Sequence, residues 1–267
     1  MKTYIITEFK RNFKSLVLWT VIVAGLAGLM LLLFPAFEDA FSQLEDLLSI
    51  YPPEFLEIFG MGEGGLDMSN IYGWFGVEGY LFVTLIGGSY AAILGSSILS
   101  KEEEDKTIEF LLAQPISRTN ILFGKIIVVA INLLLMNLVV SIILLFVFSI
   151  YGELNVTIWL LYSFAPFLLQ AVFASISLLA SIFVTKSRRV ISMSMGLVIG
   201  MYVVDIISKL TESAEFLKYV TPYEYINAVT IVKDEMIKPL YLLLTVSIVT
   251  VALLATWRLY LKKDITV

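Results

Sequence analysis

The segment KEEEDKTIEFLLAQPISRTNILFGK, residues 101–125, is a charged island between two long apolar runs. Residues 74–99 before it carry one charged side chain, Glu78, and residues 121–150 beyond it carry only Lys125. A membrane-spanning helix needs about 20 mostly apolar residues, so each flanking run is long enough to cross a bilayer. A chain this apolar has no folding need for such an island. The segment must face water, and it reads as a docking element held by another molecule.

Outward from the island, the same length criterion selects six runs: 16–34, 74–99, 121–150, 156–184, 190–207 and 240–260. Of the 267 residues, 59% are hydrophobic and 15% charged, whereas about a quarter of a soluble domain is charged. Mean hydropathy is +0.90. These figures predict an all-α polytopic membrane protein with six spans, forming one transmembrane domain over residues 1–267. The third and fourth runs can tilt or extend past the bilayer. The first is too long for a cleaved signal segment and no small-residue cleavage site follows it, so it counts as a span.

Basic residues set the orientation. In a six-span arrangement Lys209, Lys218, Lys233 and Lys238 fall on one side, and the other 14 of the 18 Lys and Arg residues fall on the side of both termini. The loop 35–73 has eight acidic residues and no basic one. Both termini are expected in the cytoplasm, with the chain in the plasma membrane and outer loops at 35–73 and 208–239.

There is no cysteine and no histidine. Disulfides, thiolate or imidazole metal sites and histidine general bases are excluded. The phosphate-cradling pattern G-x-x-x-x-G-K-[ST] does not occur, and GMGEGG at residues 60–65 reads as turns. No catalytic residue, cofactor or metal is expected in this chain, and no nucleic-acid partner.

Within the loops, residues 4–14 suit either a short basic helix in the membrane interface or a plain basic flank. Phe37, Phe41, Leu44 and Leu48 recur at helical spacing and predict a separate amphipathic helix, stopped by Pro52 and Pro53. Tyr219, Tyr223 and Tyr225 read as an aromatic belt. Within the spans, Gly87, Ala91 and Gly95, then Gly88, Ala92 and Ser96, then Ser192, Gly196 and Gly200, and Ala24 with Gly28 are small residues at four-residue spacing. Such rows let helix backbones approach, within a chain or across a dimer seam. Asn132, Asn137 and Gln170 read as interhelical hydrogen-bonding groups, and Glu78 and Asp205 as interfacial charges.

In the island itself, Ser100 followed by Glu103 fits a capping box. A helix is therefore expected to restart there, with residues 102–105 in its first turns, where the macrodipole favours acids. Ile108, Leu111 and Leu112 form an apolar stripe, Glu109 lies off it, and Pro115 ends the helix. Arg118 and Lys125 are expected to snorkel to headgroups.

The run from Glu102 to Lys125 resembles the signature of ATP-binding-cassette (ABC) exporter permeases of the type-2 family. Glu104, Thr107, Glu109, Leu111, Leu112, Pro115, Ser117, Arg118, Gly124 and Lys125 match it. Lys106 departs from it, standing where that family usually has glycine, and WRLYLKKDI at residues 257–265 is similar to the family's ending. The resemblance implies a cytoplasmic coupling helix between the second and third spans, within residues 101–118. It assigns ATPase-subunit docking to Glu102, Glu103, Glu104, Thr107, Ile108, Glu109, Leu111, Leu112, Pro115, Ser117 and Arg118. It further implies a separate ABC ATPase subunit that binds ATP and Mg, and a second permease, identical or related.

Other readings have their own sequence requirements. An ion-coupled secondary transporter needs paired intramembrane charges or internal repeats, and neither is evident. An intramembrane serine protease needs a histidine base for a nucleophile such as Ser89. An aspartyl protease needs two carboxylates, and Asp205 has no evident mate. A non-transporting membrane scaffold or immunity protein would share the hydropathy but would not need the island.

Overall fold

The computed structural model describes residues 1–48, 56, 61, 65–105, 107, 116–151, 154–184, 186–210 and 212–263, with side chains to residue 37 in the first stretch. The described residues are helical and include no strand. In chain order they form α1 (Lys2–Leu48), α2 (Ile71–Trp74), α3 (Tyr80–Glu104), α4 (Arg118–Tyr151), α5 (Val156–Phe183), α6 (Ser187–Leu210), α7 (Ala228–Lys233) and α8 (Pro239–Lys262). A π-helical turn, Phe75–Gly79, joins α2 to α3, and two 3₁₀ turns, Glu212–Tyr219 and Glu224–Ile226, precede α7. Six helical stretches are long and apolar enough to cross a membrane: Lys2–Phe37, Ile71–Glu104, Arg118–Tyr151, Val156–Phe183, Arg188–Leu210 and Pro239–Lys262. The chain is a multi-pass membrane protein.

The first helix differs from the expected pattern. The basic flank, the first apolar run and the amphipathic stretch after Phe37 form one continuous helix of 47 residues. Neither glycine nor proline occurs between Thr3 and Ala24, so nothing interrupts the helix at the membrane interface. Pro35 lies inside it, where its missing N–H removes one backbone bond. The side chains of Phe41, Leu44 and Leu48 and the residues of the glycine run other than Met61 and Gly65 lie outside the described set.

The core is built by α3 packed along α5, with α1 on α4 and α6 against α3. Small residues permit the central contact. A β-carbon on Gly95 would strike the Ala174 backbone, and one on Gly88 would press on Phe173. Asn137 donates to Gln170 at 2.6 Å, and Tyr90 donates to Asn132 at 3.2 Å. The two asparagines thus serve different neighbours, α5 and α3, as interhelical hydrogen-bonding groups. On α6 the small-residue row behaves differently, because β-carbons on Gly196 or Gly200 would meet nothing within 4 Å.

At the end of the bundle away from the termini, aromatic side chains close the structure. Tyr162 meets Phe75 at 5.1 Å and Tyr80 at 4.9 Å. Trp74 donates to the Met30 carbonyl at 2.7 Å, tying the π turn region to α1. Tyr223 and Tyr225 are not belt residues. Both are buried, Tyr223 against Phe173 and Tyr202, and Tyr225 stacked on Tyr241 at 5.2 Å. The segment 212–233 folds back over the helix ends, so these two rings plug the bundle, and of the three tyrosines only Tyr219 is largely exposed.

Candidate functional site

Both chain termini share one end of the bundle with the two ends of the 101–125 segment, and charged side chains fasten them together. The segment begins while α3 is still helical. No restart occurs at Ser100, which lies inside α3 and donates its hydroxyl to the Ser96 carbonyl at 2.8 Å. Glu102, Glu103 and Glu104 therefore occupy the last turn of a helix, not the first. The macrodipole is unfavourable to acids there, and cations brought from other elements offset it.

Glu102 is 3% exposed. Its carboxylate lies 2.7 Å from Lys125 Nζ on α4 and 3.2 Å from Arg11 on α1. Lys125 is fully buried, donates to the Ile98 carbonyl, and also lies 3.7 Å from Glu8. Glu8 is in turn 3.3 Å from Arg11. Two acids and two bases from three helices form a closed, neutral cluster. Glu8, Glu102 and Lys125 are buried while Arg11 reaches solvent; burying three charges is costly unless each is paired, and here each is. Lys125 does not snorkel to headgroups, because its ammonium has carboxylates and a carbonyl in the interior. Gly124 beside it makes room for Tyr4, whose ring carbons would lie 2.8 Å from a β-carbon placed there.

A second anchor is mostly buried. Lys263, just past α8, donates to both oxygens of Glu103 at 2.6 and 2.8 Å. Arg118 opens α4 and donates to the Lys263 carbonyl at 3.0 Å, so its guanidinium reaches backbone. Ser117 accepts from the Asn120 N–H at 3.2 Å, and Thr107 donates its N–H to the Glu102 carbonyl at 2.9 Å. These two residues finish helix ends, while Glu104 points to solvent. Ile108, Glu109, Leu111, Leu112 and Pro115, with Lys106, lie outside the described residues.

The structure thus brings Glu102, Glu103 and Arg118 to the anchors and adds Glu8, Arg11, Lys125 and Lys263, to which the sequence reading gave no such role. Two signals pointed to them. Glu8 is the only acid among the first 37 residues, and Lys125 is the only charge within 121–150. A lone charge in a basic or apolar setting invites a search for its partner.

Residues 5–265 match the profile of the ABC-2 family transporter protein. The chain belongs to this family. It is an ABC transporter permease, of a kind whose members are typically non-catalytic membrane subunits that partner an ABC ATPase. No curated protein gives a significant match to the chain.

Proposed function

We propose that this ABC-2 permease forms half of the translocation path of an exporter and is driven by a separate ATPase subunit that grips residues 102–115. The observation that carries this reading is the anchoring of both ends of that segment. Its start is fixed to α1 and α4 through Glu102, Arg11 and Lys125, and its start and end are both fixed to the C-terminal tail through Lys263. A push on such a segment moves helices rather than a slack loop, which rigid-body coupling requires. ATP and Mg are held by the ATPase. ATP-driven closure of its dimer displaces the segment, and α3 and α4 carry the motion into the membrane.

The orientation follows from the basic residues. In a six-span arrangement the side of the termini carries 14 of the 18 lysines and arginines, which supports placing that side in the cytoplasm, with the chain in the plasma membrane. A second permease completes the path. The row Ser192, Gly196 and Gly200 on α6, open in this protomer, supplies a surface where a helix of the second copy can approach closely.

Leu111→Asp with Leu112→Asp tests the docking. The double variant is expected to insert normally and to lose co-purification with the ATPase subunit. Retained assembly would remove the apolar stripe from the interface.

A further inference from the structure

The first turns of α1 have two faces. On the inner one Glu8 is buried near Lys125, and Arg11 pairs with Glu8 and Glu102. On the other, Ile6, Lys10, Phe13, Lys14 and Val17 follow one another in steps of three and four residues, so they share one side of the helix. All five are exposed, the apolar three at 44–49%. The same side continues without a break into Leu18 and Val21, exposed apolar residues of the spanning part.

This places the two lysines in depth. Lys14 precedes Val17 by about 4.5 Å of helix and Lys10 by about 10 Å, so both ammonium groups reach the rim of the apolar surface on flexible stems. On α4, Phe123 and Ile127 flank the buried Lys125 and are exposed, so apolar surface begins at the level of the charged cluster. Neither Lys10 nor Lys14 has an ion-pair partner among the described residues. Glu8, the only acid among residues 1–37, is on the opposite face. Like charges one turn apart on a helix repel, and one anion between them relieves both. A free anion would leave Phe13 and Val17 in water, whereas a phospholipid covers charge and apolar surface together.

We propose that this face of α1 binds an anionic phospholipid. Its phosphate bridges Lys10 and Lys14, and its acyl chains lie on Phe13 and Val17. The start of α1 is then clamped from two sides, by lipid outside and by Lys125 inside. The proposal does not rest on ATPase docking.

The chain has no cysteine, so Val21→Cys, one turn deeper on the same face, carries a single bimane fluorophore. The labelled full chain in phosphatidylcholine nanodiscs is titrated with phosphatidylglycerol or phosphatidylcholine spin-labelled on the acyl chain, and quenching reads local lipid occupancy. At low salt the anionic lipid is expected to be preferred about 30-fold, from roughly fivefold for each lysine. Lys10→Gln with Lys14→Gln is expected to bring the preference close to one, and Lys10→Arg with Lys14→Arg to retain it. Lys186→Gln with Arg188→Gln removes two equally exposed cations elsewhere and is expected to leave it unchanged. Monodisperse elution checks the fold of each variant. Equal quenching by the two lipids, a preference that survives the Lys10 and Lys14 glutamines, or equal loss in the Lys186 and Arg188 variant overturns the proposal. Suppression by inorganic phosphate at constant ionic strength assigns a free anion instead, and loss on adding the ATPase assigns the lysines to a protein contact; either result overturns it as well.

Discussion

Replacing Lys125 by Met isolates the buried cluster. The ammonium is fully buried and lies 2.7 Å from Glu102 and 3.7 Å from Glu8. At an effective dielectric of ~20, the shorter contact alone is worth about 6 kcal/mol of gross attraction. Desolvation of the two ions cancels much of this, so the pair itself adds little net stability. Removing one partner is different, because it leaves the other charge buried. Among the described residues Glu102 would then face Arg11 alone, at 3.2 Å, whose side chain is 40% exposed, and the cluster would carry an unbalanced negative charge. The expected loss is about 3–5 kcal/mol, or roughly 10 °C of melting temperature for a chain of this size. Thermal melting of purified protein, followed by fluorescence-detected size exclusion in mild detergent, reads this out. The double variant Glu102→Gln, Lys125→Met keeps the Glu8–Arg11 pair and strands no charge, so it is expected to recover at least half of the loss. A single variant that melts like the wild type, or a double variant no better than the single, would refute the account of a paired buried cluster.

Lys263→Met breaks a pair whose side chains are 15% and 11% exposed and is expected to cost about 2 kcal/mol, and also to uncouple ATPase activity from transport in reconstituted vesicles. Equal loss of stability and coupling would show that the anchor is merely structural. Asn137→Leu leaves Gln170 without its interhelical partner and is expected to lose roughly 0.6–1.7 kcal/mol in a melting assay. Gly95→Leu drives a side chain into the Ala174 backbone and is expected to cost about 3 kcal/mol or more, visible as lost monodispersity.

Burial pushes the Glu224 carboxyl above its ordinary value of 4.5, with Lys209 and Asn227 pulling it part of the way back and Asp205 pushing it up. The folded chain therefore holds this proton more tightly than the unfolded one. Its contribution to stability is present below the ordinary carboxylate value and is lost as pH rises through the raised one. Melting curves across that range are expected to fall for the wild type relative to Glu224→Gln. Parallel curves would exclude the effect.

The membrane class and the six long helices were legible because run length and apolarity are local properties. That Gly88 and Gly95 sit at a close helix contact and that Asn137 and Gln170 bond between helices was legible from small and polar residues on apolar surfaces, but their partners were not. What failed depended on distant partners. The S-x-x-E pattern at Ser100 is equally compatible with a helix interior, and the acids after it tolerate a helix C-terminus only because Lys125 and Lys263 lie close in space. Lys263 is 160 residues away from Glu103 in the chain. Tyr223 and Tyr225 resemble interfacial residues until segment 212–233 is seen folding back over the bundle. Continuity of α1 through Pro35 was hidden for a different reason, because one missing hydrogen bond does not end a helix that its flanks support.

The length of α1 has a mechanical consequence. Its 47 residues extend roughly 70 Å at 1.5 Å each, more than twice the ~30 Å hydrocarbon layer. It behaves as a lever with the bilayer as fulcrum. A 10° rock about its midpoint swings each tip through about 6 Å. Arg11 and Glu8 sit on one arm, so a push on the charged cluster at that end would be matched by travel of similar size, about one helical turn, at the other.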